Sequence, residues 1–222
     1  MIKRKNILKI AIDSPAAAGA GTLAKAISKQ YNLFYLDTGK IYRMIAYIKM
    51  KFPKQFNQAF LKKKIRSIKT KDLTNKNLLT DEVGTEASII SKNKNLRKLV
   101  HSFQVNCAYN PPKKYNGSCL DGRDITYNIV PDADIKLYLT ATLKVRALRR
   151  YKELKKLNHK ISFKEVYKTI KKRDKNDRTR KIAPLKKIKG AILIDTSNLT
   201  IKECFNKISN IIDRKIKKQN HT

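Results

Sequence analysis

Residues 7–43, ILKIAIDSPAAAGAGTLAKAISKQYNLFYLDTGKIYR, restrict what this chain can fold into more than any other stretch. An apolar run from Ile7 to Ile12 closes on Asp13. A loop of small residues follows, and then a segment with helical periodicity carrying Leu23, Ala24, Ala26 and Ile27. A second short apolar run, Phe34 to Leu36, comes at once and ends in Asp37-Thr38-Gly39. Strand, tight loop, helix, strand is the opening of a parallel α/β sheet with a ligand loop at its carboxyl edge.

Phosphate is the natural ligand for such a loop. Small side chains let main-chain N–H groups converge on one concavity, and a helix starting near Gly21 adds its unpaired N-terminal donors and positive dipole end. Ser14, Pro15, Ala16, Ala17, Ala18, Gly19, Ala20, Gly21 and Thr22 are the expected phosphate cradle, with the Thr22 hydroxyl where Mg2+ sits beside the phosphates. The phosphate-loop pattern G-x-x-x-x-G-K is half present. Ser14 stands at the first glycine, Gly19 is in place, and Ala20 stands at the lysine. Taken alone, the loop also fits a tight strand-to-helix turn with no nucleotide.

The 222 residues suit one domain with a small insertion, and 41% apolar residues suffice for a core. No stretch approaches the roughly 20 apolar residues that span a bilayer, and the first apolar run reads as a strand and not a signal peptide, so a cytoplasmic location is expected. Cys107, Cys119 and Cys204 are odd in number and widely spaced, which suggests buried free thiols. With 52 Lys and Arg against 17 Asp and Glu, the formal net charge is +35. Such a field attracts polyanions. The basic residues are nonetheless spread along the whole chain, mostly as Lys amid abundant Asn and Ile, the bias of AT-rich codons, and no aromatic clusters interleave with them. No specific nucleic-acid partner and no membrane are expected, and the charge would still draw nucleotides to a cleft.

From Lys40 a helix continues with Ile41, Ile45 and Ile48, and residues 51–85 then turn polar, with a helix in AFLKKKIRSI and a small sheet around Leu78-Leu79-Thr80 expected. Glu86 to Tyr109 reads as helix broken near 92–95 and ended by Pro111-Pro112. Ser118–Leu120 and Ile135–Leu139 read as buried strands, the first ending in Asp121-Gly122-Arg123-Asp124. There Arg123 can take a phosphate bidentately, and Asp124 can accept from a base amine or a sugar hydroxyl. Two amphipathic helices, about 142–157 and 162–174, precede a polar tract in which Arg173, Asp177, Arg178 and Arg180 could not be buried without ionic partners. A last strand, Ala191–Ile194, leads to a closing helix from about 201 to 216.

Four strings together resemble one family. IDSPAAAGAGTLAK followed by YLDTGKIYR is similar to the I-D-G-P-A-A-S-G-K-G-T-L-A-K and Y-L-D-T-G-x-x-Y-R of bacterial cytidylate kinases. DGRDITYNIVPDA is similar to their D-G-R-D-I-G-T-V-V-x-P-D-A, and RDKNDRTRKIAPL to their lid signature R-D-x-x-D-x-x-R-x-x-A-P-L. The resemblance spans Ile7 to about Lys215 and implies a P-loop nucleoside monophosphate kinase fold: an α/β domain with a five-stranded parallel sheet, helices on both faces, an acceptor-binding insertion and a mobile lid. It places the core at 1–50, 113–150 and 184–222, the insertion at about 51–112 and the lid at about 151–183.

The implied reaction is phosphoryl transfer from ATP, with Mg2+, to CMP or dCMP by a monomer. Thr38, Arg43, Ser88, Arg97, Arg123 and Asp124 would line the acceptor nucleotide, Arg173 and Arg180 would contact the phosphates, Asp177 would orient the acceptor side, and Arg178 would help hold the donor. Thr126, Tyr127 and Asn128 replace the family's G-T-V, so a loop relying on glycine freedom is expected to change. Ser14 is expected to cost roughly 1 kcal/mol if its position needs a positive φ. Ala20 removes the ammonium that normally faces the β- and γ-phosphates, a loss on the order of 10^2- to 10^3-fold in turnover unless another cation compensates.

Overall fold

The structure, a computed structural model, describes residues 7–68, 70–156 and 160–220. Five strands, β1 (Leu8–Asp13), β2 (Leu33–Asp37), β3 (Gly117–Gly122), β4 (Ile135–Thr140) and β5 (Ile192–Asp195), form one parallel sheet in the order β2-β3-β1-β4-β5. β1 lies at the centre between β3 and β4, and the register sets Asp37 opposite Asp121 and Asp13 opposite Gly122. Three strands therefore end in one row, beneath the loop that follows β1.

Alternation along the strands feeds two cores. Ile10, Ile12, Cys119, Leu137, Leu139 and Ile194 point to one face, under α1 (Ala20–Gln30) and α8 (Ile201–Asn220). Ala11, Leu36 and Leu120 point to the other, under α2 (Thr38–Lys51), α3 (Gln58–Arg66), α4 (Asp81–Ile90) and α5 (Lys94–Tyr109). A third cluster, Ala147, Leu154, Val166 and Ile170, holds α6 (Leu143–Lys156) against α7 (Phe163–Thr179), and Ala17 of the first loop packs against it. This helical hairpin begins at Leu143, so the expected lid border at 150 falls inside α6.

Several expectations are corrected. The insertion holds no small sheet among its described residues: Pro53–Gln55, Thr70–Thr74 and Lys76–Leu79 are 3-10 turns. Leu78 is buried instead as a single anchor in front of the Thr80 cap, whose hydroxyl accepts from Val83 N at 3.3 Å. α4 starts at Asp81, five residues before the expected Glu86, because that cap opens it. α7 runs to Thr179, five residues past the expected 174, since the polar tract finds ionic partners on the helix. Cys119 and Cys204 are buried free thiols, whereas Cys107 is only half-buried. No helix among the described residues is long and apolar enough to cross a membrane.

Candidate active site

Between the strand ends, the insertion and the α6–α7 hairpin lies a cleft of about 880 Å³. Its floor is the loop from Ser14 to Thr22, all of whose residues line it. Backbone N–H groups are free for a ligand there because α1 begins without a cap: Gly19, at φ 89°, gives no side-chain hydrogen bond. By contrast α2, α3, α4, α5 and α7 each have their first turn closed by a side chain. The left-handed positions in the loop are Ala17 (φ 60°) and Gly19, so the strain expected at Ser14 falls on Ala17. Ser14 is buried and donates its N–H to Gly122 O at 3.1 Å. Ala20 is buried in the apolar cluster under α1 and offers nothing polar. Thr22 is exposed at the cleft mouth.

One wall carries the acceptor candidates. Thr38 donates to Asp121 O at 2.7 Å, tying α2 to β3. Arg43 donates to Leu78 O at 2.6 Å and Thr80 O at 3.0 Å, and a Cβ on Gly84 would stand 2.7 Å from its Nη2, so any larger residue there would displace the guanidinium. Ser88 lines the cleft with a buried hydroxyl that has no hydrogen-bond partner. Arg97 donates to Ser91 O at 3.3 Å and pairs with Asp124 at 2.5 Å. Asn128 donates to the same Asp124 oxygen at 2.7 Å.

The hairpin closes the other wall. Arg173, Asp177 and Arg180 stand at i, i+4 and i+7 along α7 and its cap, and so share one face. Arg123 donates through Nε to Asp177 at 2.8 Å, while Arg180 lies 3.7 Å from Asp177 and 3.6 Å from Asp124. Arg180 also holds the turn at Ala183, donating to its carbonyl at 2.7 Å. Burial opposes the Asp177 charge, yet Arg123, Arg180 and Arg173 hold its carboxyl below the ordinary carboxylate range. Arg178, the expected donor contact, is exposed and is not among the residues lining this cleft: one residue beyond Asp177, it has turned about 100° away from the inward face.

Ten cationic side chains and five carboxylates line the cleft. Burial, then Arg173 and Arg150, lower Arg43 to about 9, still protonated at neutral pH. Burial lowers Arg173 and Arg180 too, and Arg173 Nε is buried without a hydrogen-bond partner. Cations packed this way are stabilised by an arriving anion.

The sequence reading points to none of three arginines of α6, of which Arg149 and Arg150 line the cleft and Arg146 bonds its floor loop. Arg146 donates to Ala16 O at 3.1 Å and pairs with Asp174 at 2.6 Å. Arg149 Nη1 lies 3.9 Å from where a Cβ on Gly19 would be, held by Thr196 Oγ1 at 2.9 Å and Thr196 O at 2.6 Å. Arg150 pairs with Asp81 at 2.8 Å, bridging the hairpin to α4. Their signal was the spacing R-x-x-R-R, which sets arginines on a helix face that would otherwise be apolar.

In the sequence Asp121 reads only as a strand end. One of its oxygens is buried without a hydrogen-bond partner, and the other lies 3.7 Å from where a Cβ on Gly21 would stand. Burial and the facing Asp37 push its carboxyl well above the carboxylate range. An orphaned hard oxygen on a carboxylate that borders the anion cradle at Gly21 fits a divalent cation. Among the described residues no three His, Cys, Asp or Glu side chains converge, so such an ion would take the rest of its shell from nucleotide and water.

The profile of the family described as Cytidylate kinase matches residues 10–214. A cytidylate kinase of Bartonella tribocorum is 42% identical over 213 residues, covering 94% of this chain and 95% of its own. One of Clostridium botulinum is 40% identical over 219 residues, covering 93% of this chain and 98% of its own. Among solved structures, an uncharacterized protein from Eubacterium ventriosum matches in fold, with a TM-score of 0.54 at 14% identity over 93% of this chain and 98% of that one. With a profile match over residues 10–214 and relatives of that identity over nearly their whole length, the chain belongs to the cytidylate kinase family.

Proposed function

We propose that the protein transfers the γ-phosphoryl group of ATP to CMP or dCMP. The observation that carries this reading is the convergence of Arg43, Arg97, Arg123, Arg173 and Arg180 on a cleft whose floor is an uncapped helix N-terminus. Phosphoryl transfer spreads charge over equatorial oxygens and needs alignment and fixed positive charge more than a nucleophilic side chain. The site supports that division of labour. Main-chain donors of residues 14–22 hold the donor phosphates, and Arg43 and Arg97 meet the acceptor phosphate. Arg123, Arg173 and Arg180 face the group in transit, and Asp177 fixes two of them.

Asp124 and the free Ser88 hydroxyl read the cytosine edge and sugar, one as acceptor and the other as donor or acceptor. Thr22 and Asp121 would hold Mg2+, which when bound neutralises the β- and γ-phosphates. The insertion, about 51–112, and the α6–α7 hairpin with its exit to Leu185 close over the two nucleotides. Ala20 lowers turnover relative to a lysine at that position, and the cleft's other cations keep the reaction running.

Calorimetric titration with CMP, dCMP, UMP and AMP tests the acceptor assignment. CMP or dCMP binding at least about tenfold more tightly than AMP is the expected result. Equal affinity for AMP, or no heat with CMP, overturns it.

A further inference from the structure

The loop lacks its lysine, yet the chain sets another ammonium beside the same row of strand ends. Lys40 stands in the first turn of α2, its N–H donating to Asp37 Oδ1 at 3.1 Å. Its half-buried side chain lines the cleft. Asp37 is in register with Asp121, and Asp121 in turn abuts Gly21 in the first turn of α1. The Lys40 charge acts on the Asp121 carboxyl in the direction opposite to burial and Asp37, which still hold it well above the carboxylate range. Among the described residues no carboxylate oxygen lies within 4.0 Å of it.

Of the other cleft ammoniums, Lys152 and Lys156 are exposed on α6, whereas Lys40 is half-buried, and most of the cleft arginines already have partners within the fold, Arg180 among them at Asp177, Asp124 and Ala183 O. Arg97 and Arg123 are bound to Asp124 and Asp177, Arg150 to Asp81, Arg149 to Thr196, and Arg43 to carbonyls of the insertion. Arg173 is freer, but it belongs to the R-D-x-x-D string that accompanies the loop lysine in the family pattern, so it is no replacement for it. Position 40 is one that the pattern Y-L-D-T-G-x-x-Y-R leaves open.

We propose that Lys40 supplies the positive charge missing at Ala20 and contacts the phosphoryl group between donor and acceptor. This inference rests on the phosphoryl-transfer reading above. An oxygen of the acceptor phosphate bonds to the γ-phosphorus while the bond to the β,γ-bridging oxygen breaks and its electron pair leaves on ADP. Lys40 stays protonated throughout and stabilises charge on the oxygens in transit.

The test is a double-variant cycle of Lys40→Met and Ala20→Lys, with kcat, both KM values and the equilibrium affinity for ATP alone. Lys40→Met is expected to lower kcat at least about tenfold and weaken ATP at least about threefold, with KM for CMP moved less than about twofold. In the Ala20→Lys background the same substitution is expected to cost less than about threefold, and Lys40→Arg to retain much of the rate. A purely structural role would give equal losses in both backgrounds, and that result overturns the inference.

An inactive natural chain beside an active Ala20→Lys variant also overturns the inference and leaves the functional reading standing. If no variant forms CDP, the functional reading falls and ATP affinity decides the inference. Weakening by Lys40→Met supports the contact, and unchanged affinity overturns it.

Discussion

Tyr127 donates its hydroxyl to the carbonyl of Pro184 at 2.5 Å, fastening the loop after β3 to the segment that leaves the α6–α7 hairpin. It is one of the three residues that stand in place of the family's G-T-V, and all three are bonded. Thr126 donates through N and Oγ1 to Asp13, at 3.1 and 2.5 Å, and Asn128 holds Asp124. None of the three residues has a positive φ, so the expected loss of glycine freedom is no strain; the loop is a π-helical turn over Ile125–Ile129.

Tyr127→Phe removes one neutral hydrogen bond, worth about 1 kcal/mol, or about fivefold in the closing equilibrium. KM for CMP is expected to rise about fivefold with kcat changed less than about twofold, and amide exchange at residues 180–186 to quicken. Steady-state kinetics and hydrogen exchange check this; unchanged exchange would mean the contact does not hold the hairpin.

The Ser88 hydroxyl makes no bond within the fold, so the fold loses nothing polar when it goes. Ser88→Ala is expected to leave unfolding free energy within about 0.5 kcal/mol while weakening CMP by about five- to tenfold. Urea unfolding beside a CMP titration separates the two effects.

Arg97 and Asp124 form a pair whose side chains are only 8% and 9% exposed. Removing one partner strands a buried charge, so Arg97→Ala is expected to destabilise the fold by about 3 kcal/mol. The midpoint of chemical unfolding measures it. A loss below about 1 kcal/mol would show that Arg180 and Asn128 alone satisfy Asp124.

Asp13 is fully buried and accepts from Ile125 N at 2.7 Å as well as from Thr126. Burial pushes its carboxyl up to about 6 from 3.8. A carboxyl raised in the folded state binds its proton more tightly there than in the unfolded chain. Its contribution is therefore present below about pH 4 and is lost as pH rises to about 6, on the order of 3 kcal/mol at about 1.4 kcal/mol per pH unit. Asp13→Asn is destabilising at every pH, because an amide cannot accept from all three donors. The stability difference between natural chain and variant is expected to shrink between pH 4 and 6, read from unfolding curves across that range.

Much of the molecule was legible because its signals are local. The run from Ile7 to Asp13, the small-residue loop and the strand ending at Asp37 announced a parallel sheet, and the described strands form one. Arg123, Asp124, Arg173, Asp177 and Arg180 were found as strings and meet in one cleft. What escaped depended on partners distant in sequence. α7 continues past 174 because Arg123, 54 residues away, pairs with Asp177. Ala17, not Ser14, takes the left-handed turn, and no residue type announces that. Arg149 reaches the loop only because β5 brings Thr196 beside it.

The most direct test of the account is a coupled ADP-release assay with ATP, Mg2+ and CMP, comparing the natural chain with Ala20→Lys and using UMP and AMP as controls. CMP-dependent ADP release by the natural chain within about tenfold of the lysine variant, and well above either control, is the predicted result. No CMP-dependent release from either protein would contradict it.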